Sequence, residues 1–497
     1  MKLIKKIAAI MFAFMMVVSM SCNVKADEGT TATTEKGKIT INNAIPGQTY
    51  KIYKILELES YDSTTGNYAY KVTPEWKSFV ENEGQTYLTK VDGTDYVNWV
   101  GDSADNGEHV KAFAEKAMAY VRKENSPVNT YTKENAPEAS AGQATTSVTF
   151  NNLPLGYYLV DSSVGTLCSL DTTKPNVDIN EKNGVPSVTK TFVDRTNTNN
   201  ASIGDVITFN TVVDVKKGAQ SYVLHDKMSA GLKLNQKLNA DNDKPVLITK
   251  DNHETLIYGT DFTFTETTDG FTIDFSKAFL KRFEDKDYTL LVMYSATLTD
   301  VAVIGGAGNT NETYLNYGVD SESNHSTTTT KTFEMNVFKF YNDKKSNTDK
   351  GLAGATFKLT KDSKDAENIT FVKTSNESTT EDVYRVAKTG ETVTTITSPK
   401  SGKFTIQGLG AGTYYLTETK QPAGYNKLSA PVTVVIDAKG NVTVGGTAAN
   451  PVKVENKSGT VLPSTGGAGT TMIYLVGAVL VLGSGVVLAT KRRVKGK

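Results

Sequence analysis

Along most of its length the chain alternates apolar and polar residues with a period of two, the pattern of strands with one buried face. Lys38-Ile39-Thr40-Ile41, Ser147-Val148-Thr149-Phe150, Val206-Ile207-Thr208-Phe209, Thr289 to Tyr294 and Pro431 to Ile436 are rich in β-branched and aromatic residues and bounded by Gly, Asn and Asp. One segment departs from this. Val110, Phe113, Ala114, Ala117 and Val121 recur at helical spacing, which predicts a helix packed on a sheet. Two restarts punctuate the pattern. The turn Lys182-Asn183-Gly184-Val185-Pro186 precedes the strand-like Ser187 to Phe192, and the Ser/Thr run His325 to Thr330 precedes Met335 to Phe340. The expected fold is all-β, in tandem β-sandwich domains over 27–185, 186–330 and 331–458, with the helical insertion in the first.

The two ends break the alternation. Lys2, Lys5 and Lys6 precede an apolar stretch from Ile7 to Met20 and the small-residue site Val24-Lys25-Ala26, so 1–26 reads as a secretion signal. Cys22 admits a lipoprotein reading, but Ser19-Met20-Ser21 before it lacks the usual leucine. At the other end, 19 uncharged residues from Met472 to Thr490 are long enough to cross a bilayer, and Lys491 to Lys497 form a basic stop. Charge and cysteine content then narrow the classes. The chain balances 54 basic against 54 acidic residues; without the leader's four lysines and the five basic residues after Gly466 it carries 45 against 54. That mildly acidic surface argues against nucleic-acid binding. Only Cys168 survives processing, so no internal disulfide can hold this secreted chain together.

Charged residues placed inside apolar strands suggest what does. Lys339 sits between Phe338 and Phe340, so alternation sends it to the opposite face. A lysine facing a core must be paired or neutral. Glu418 lies in the apolar strand Gly412 to Thr419, and Asn456 follows Val452-Lys453-Val454-Glu455 at the end of the last domain. Pairing of first and last strands brings the three toward one core. Taken singly, a lysine in an edge strand is more often a solvated guard against aggregation.

The stretches Leu352-Ala353-Gly354-Ala355-Thr356-Phe357 and Tyr415-Leu416-Thr417-Glu418-Thr419-Lys420-Gln421-Pro422-Ala423-Gly424-Tyr425 resemble the B-type, Ig-like domains of collagen-binding adhesins and the C-terminal domains of Gram-positive pilins, the second stretch being their E-box. The resemblance implies an isopeptide bond between Lys339 and Asn456, with Glu418 as catalyst. Such chemistry needs an unprotonated amine, which burial favours, and a carboxyl to relay a proton to departing ammonia. It happens once per molecule. Lys190, the Asp226 segment Leu224 to Leu232, Tyr294 to Leu298 and Asn311 to Gly318 resemble the second isopeptide-forming domain of fimbrial backbone subunits. That resemblance implies a Lys190–Asn311 bond catalysed by Asp226. Asn316 competes, but five residues of separation put the two asparagines on opposite faces, and Asn311 is favoured. Leu153 to Asp161 is similar to an E-box with Asp161 in place of glutamate; no lysine and asparagine accompany it, so no bond is expected there.

Leu462-Pro463-Ser464-Thr465-Gly466 ahead of the apolar run and basic tail resembles the LPxTG sorting signal of wall-anchored surface proteins. The resemblance implies sortase cleavage between Thr465 and Gly466 and transfer of Thr465 to an amine. In pilus backbones that amine is a lysine at the end of the first domain, often in Tyr-Pro-Lys-Asn. Here Lys182, in Asn180-Glu181-Lys182-Asn183, holds the place without the Tyr-Pro pair, and Lys174 before Pro175 is the other candidate. The expected function is a major pilin, polymerised by sortase from identical subunits and joined to peptidoglycan, supporting adhesion. The alternative is a monomeric or tip adhesin with a host matrix ligand. A hydrolase is the weakest class. His109, His225, His253 and His325 are widely spread, and no metal-ligand spacing, nucleophile elbow or calcium loop occurs, so no metal or other cofactor is expected.

Overall fold

The expected strands form among the described residues. The computed structural model describes residues 36–459 and 473–484, apart from residue 47 and the segments 63–66, 101–107, 124–125, 129–130, 134–145, 163–164, 172–175, 239–243, 319–320 and 376–380. The chain divides into two units. One comprises Met1–Asn199, Asp205–Val303 and Ala307–Lys331, the other Asn200–Gly204, Ile304–Gly306 and Thr332–Lys497. The main divide falls between Lys331 and Thr332. The short segments that cross it left no mark in the sequence.

In the first unit, residues 36–180 build two sheets. Lys36–Ala44 lies at the centre of three strands, antiparallel to Thr146–Pro154 and parallel to Asn176–Asn180. Its alternating KITI pattern sends Ile39 and Ile41 into a core with Tyr50, Ile52, Phe150, Tyr158 and Val160. The second sheet runs Leu88–Lys90, Tyr96–Trp99, Asn67–Val72, Tyr50–Asp62, Gly156–Ser162, Gly165–Asp171. The expected helix forms over Glu108–Val121. Its apolar stripe buries Phe113, Ala114 and Ala117 against Trp76, Phe79 and Tyr87, and the Phe113 ring lies 6.4 Å from that of Tyr157 on the sheet.

Residues 187–331 build two further sheets. Ser187–Phe192, Val206–Val215, Tyr288–Leu298, Val246–Lys250 and Glu254–Thr255 follow one another in the first. Ser326–Lys331, Asn309–Tyr317, Val223–Met228, Gly270–Phe275 and Phe262–Thr267 follow one another in the second. The second unit repeats the two-sheet plan. In one sheet Phe333–Asp343 pairs with Lys403–Leu409 and, in parallel, with the closing strand Val452–Glu455. In the other, Gly412–Lys420 lies between Thr356–Lys361 and Val432–Ile436. The expected pairing of first and last strands is present there.

At the C-terminal end, residues 473–484 are helical and exposed. Among the described residues no helix is long and apolar enough to cross a membrane; the apolar run Met472–Thr490 extends beyond them. The leader, Lys174 and Leu462 to Gly466 also lie outside the described residues.

Phe113 ties the helix to its sheet, with ring contacts to Phe79, Tyr87 and Trp99 at 5.9, 5.7 and 5.4 Å. Emptying that position is expected to cost about 3–5 kcal/mol. Both tryptophans of the chain, Trp76 and Trp99, lie in this region, so tryptophan fluorescence reports on it alone. In Phe113→Ala the fluorescence transition in urea should move to lower denaturant by that amount; an unmoved transition contradicts the packing described.

Candidate functional site

Among the described residues two lysines are buried. Strand alternation in Phe333–Asp343 points Met335, Val337 and Lys339 inward, and Lys339 is 0% exposed. Its register partner is Val454 on the closing strand, whose carbonyl accepts a hydrogen bond from Lys339 Nζ at 3.1 Å. Asn456 follows that strand, and its backbone N–H donates to the Phe340 carbonyl. Lysine and asparagine thus stand on neighbouring strands of one sheet. Glu418 reaches them from the facing sheet. Its Oε1 lies 3.7 Å from Lys339 Nζ, and its Oε2 accepts from Asn456 Nδ2 at 3.0 Å and from the Leu428 N–H at 2.9 Å.

The second acceptor for Asn456 Nδ2, the Asn426 carbonyl at 2.8 Å, fixes the orientation of the carboxamide, because the other rotamer would face an oxygen with an oxygen. Glu418 Oε1 and Asn456 Oδ1 are left buried without a hydrogen-bond donor. Unsatisfied buried oxygens are costly in a structural core. Here they lie in a cluster that also holds an amine. Burial pushes Lys339 from 10.5 down to about 8, against the opposing pull of Glu418, so a neutral, nucleophilic amine is accessible near neutral pH.

The middle cluster is built from the same groups on a different frame. Lys190 lies on Ser187–Phe192, and Asp226 and Asn311 lie on the paired strands Val223–Met228 and Asn309–Tyr317 of the facing sheet. All three are at most 2% exposed. Lys190 Nζ donates to Asp226 Oδ2 and to the Tyr294 hydroxyl. That hydroxyl donates to Asp226 Oδ2 and accepts from Asn311 Nδ2 at 2.8 Å. Asp226 Oδ1 and Asn311 Oδ1 are buried without a partner, as Glu418 Oε1 and Asn456 Oδ1 are. Burial pushes the Lys190 ammonium down and the Asp226 carboxyl up, each partly held back by the other. The neutral amine and neutral acid are thereby brought within one proton transfer of the ion pair.

The two expected trios are therefore each brought together. Asn316 is not part of the second; it is exposed, with Nδ2 3.1 Å from His225 Nε2. Unlike Asn456, Asn311 does not lie at the end of its sandwich, since its strand is followed by Ser321–Glu322 and Ser326–Lys331. The sequence assigns Tyr294 no role in the cluster. It lies in an alternating apolar strand, where a tyrosine carries no signal beyond packing. In the sheets of residues 36–180 Asp161 is buried and accepts from the Arg122 guanidinium at 3.4 Å. Lys182 is exposed at the end of the strand Asn176–Asn180. Buried Glu181 accepts from the N–H groups of Lys182 and Asn183 at 3.0 and 2.9 Å, which fixes the backbone there.

Comparison with known proteins places these features. Residues 339–449 match the model of a prealbumin-like fold domain, SpaA, and residues 454–496 match an LPXTG cell wall anchor motif. No curated protein matches the chain. Among solved structures, the T6 backbone pilin of serotype M6 Streptococcus pyogenes is similar at 15% identity, over 82% of this chain and 81% of that one, with a TM-score of 0.52. The major pilin SpaD from Corynebacterium diphtheriae is similar at 16% identity, over 85% and 98%, with a TM-score of 0.46. The pilus 2b backbone protein of group B streptococcus is similar at 24% identity, over 55% and 99%, with a TM-score of 0.40.

The lowered Lys339 value has a consequence for stability. In Asn456→Ala, which keeps the lysine without an acceptor, the folded state releases its proton near pH 8 and the unfolded chain near 10.5. Between those values the unfolded chain binds more protons, so stability should rise with pH, by at most about 3 kcal/mol. Calorimetry from pH 7.5 to 10.5 on Asn456→Ala should show that rise, and on Lys339→Met/Asn456→Ala should not. Equal profiles contradict the buried amine. The chain thus carries the cell wall anchor motif of a wall-anchored surface protein, and the fold before it is similar to that of the T6 backbone pilin.

Proposed function

We propose that this chain is the shaft subunit of a sortase-assembled pilus, made of three Ig-like sandwiches over 27–185, 186–330 and 331–458 and self-crosslinked by Lys190–Asn311 and Lys339–Asn456 bonds. The observation that carries the reading is the recurrence, in two successive sandwiches, of a fully buried lysine against a carboxyl and an asparagine whose carboxamide oxygen has no donor. In each, the neutral amine attacks the carboxamide carbon, the acid supplies a proton to the nitrogen that leaves as ammonia, and an amide remains. The protein is no enzyme in the turnover sense; each site reacts once.

Assembly needs one acyl donor and one exposed amine per subunit. Thr465 is the donor after cleavage before Gly466 within Leu462 to Gly466, and Lys182 the acceptor, its exposure and fixed backbone supporting the assignment. Thr465-to-lysine linkage is head-to-tail and does not close, so it yields a fibre. The final subunit is passed to peptidoglycan. A monomeric or tip adhesin uses the same anchor but needs no acceptor lysine, and the two readings separate on a gel of wall extracts.

Wild-type extracts should show a ladder that survives boiling in detergent. Lys182→Ala should collapse it to wall-bound monomer, and a branched peptide joining Thr465 to Lys182 should appear in digests of wild-type polymer. A branch at Lys174 moves the acceptor there, and a single band in the wild type favours the adhesin.

The third-domain bond closes a loop of 118 residues between Lys339 and Asn456. By analogy with disulfides, a closure of that length is expected to stabilise by about 4–5 kcal/mol. Glu418→Gln, which keeps the side-chain volume, should therefore melt earlier and expose 332–459 to trypsin. Unchanged melting and proteolysis argue against the crosslink.

A further inference from the structure

The middle cluster has a fourth polar member that no counterpart in the third domain matches. In the third domain the leaving nitrogen, Asn456 Nδ2, donates directly to the carboxylate of Glu418 at 3.0 Å. In the middle domain the carboxylate is an aspartate, one methylene shorter, and Asn311 Nδ2 donates to the Tyr294 hydroxyl at 2.8 Å. The same hydroxyl accepts from Lys190 Nζ and donates to Asp226 Oδ2. It is the one atom hydrogen-bonded to nucleophile, acid and leaving group together. We propose that Tyr294 is a catalytic residue of Lys190–Asn311 bond formation, its phenol relaying a proton from Asp226 to the leaving nitrogen of Asn311. This rests on the crosslinking reading of the cluster.

The surroundings hold the phenol in that role. Tyr294 is fully buried. The Phe209 ring stacks on it at 5.4 Å and the Phe271 ring meets it edge-on at 4.8 Å, so the ring has no freedom to swing away. Burial and the neighbouring Asp226 hold the phenol well above its ordinary range. At neutral pH it keeps its proton and acts as donor and acceptor at once, with a hydroxyl hydrogen free to rotate.

The step balances. The Lys190 Nζ lone pair attacks Asn311 Cγ, and the carbonyl pair moves to Oδ1. Nδ2 takes the phenolic proton, the phenol oxygen recovers one from Asp226, and Asp226 takes one from Nζ. The Cγ–Nδ2 bond breaks with its electrons on nitrogen, ammonia departs, and the Oδ1 pair re-forms the carbonyl. One C–N bond forms and one breaks. Asp226 and Tyr294 end as they began.

The test follows ammonia loss by intact mass during cell-free synthesis of the full mature chain. Wild type should lose two ammonias; if it does not lose the middle-domain one, the crosslinking reading itself fails. Tyr294→Phe should lose the Glu418-dependent ammonia on time and the other about 10²–10⁴-fold more slowly, the span of a general acid's contribution. Tyr294→Phe/Asp226→Glu should recover speed, because the longer carboxyl reproduces the third-domain arrangement. Replacing Tyr294 by 3-fluorotyrosine keeps the shape and shifts only the phenol's acidity, so it should change the rate in a fully folded chain. A wild-type rate in Tyr294→Phe, an unchanged rate with fluorotyrosine, or no recovery in a double variant with native hydrogen-exchange protection across 187–331 overturns the assignment.

Discussion

Removing a lysine ammonium from water is the constraint on which both sandwich cores depend. A lone buried ammonium costs several kcal/mol, and a buried ion pair repays that only with excellent geometry. Lys190 and Lys339 are nonetheless almost wholly buried, among aromatic and aliphatic side chains. Each is offered one carboxyl, and each cluster still leaves a carboxyl oxygen and a carboxamide oxygen without a donor. Such an arrangement is poor as a permanent salt bridge. It is well suited to a reaction that deletes the charges, because amide formation turns the amine and carboxamide into one neutral group. With Cys22 and Cys168 as its two cysteines, the chain can form at most one internal disulfide to perform this service.

The two cores set the same three kinds of group in different frames. In the third domain the lysine and asparagine share a sheet through the parallel pairing of Phe333–Asp343 with Val452–Glu455, and the glutamate crosses from the other sheet. In the middle domain the aspartate and asparagine share a sheet, and the lysine comes from the opposite one. A bond in the first frame ties first strand to last; in the second it ties sheet to sheet. Either bond would span most of its sandwich in sequence and so would restrict the unfolded chain heavily.

Much of this was legible in the sequence, for identifiable reasons. Alternation set Lys339 on the face opposite Phe338, and in the structure that face is the buried one, shared with Met335 and Val337. The same parity separates Asn311 from Asn316, and the structure buries the first and exposes the second. Helical spacing gave Glu108–Val121, since an amphipathic helix on a sheet has a period no strand shares. What stayed hidden depends on cross-strand register. The register of Phe209 with Tyr294 puts the phenol beside Lys190, and nothing local to Tyr294 announces it. The backbone around Lys182 is likewise fixed by Glu181, a glutamate whose burial the sequence does not reveal. The segments Asn200–Gly204 and Ile304–Gly306 joined the second unit through tertiary contacts alone.

The most direct test of the central claim, that the buried lysines are consumed, is tandem mass spectrometry on protease digests of the purified mature protein. The account predicts two branched peptides, one joining Lys190 to Asn311 and one joining Lys339 to Asn456, in a chain two ammonia masses lighter than its sequence. Recovery of the four residues in unmodified linear peptides, from a chain of the full calculated mass, would contradict it.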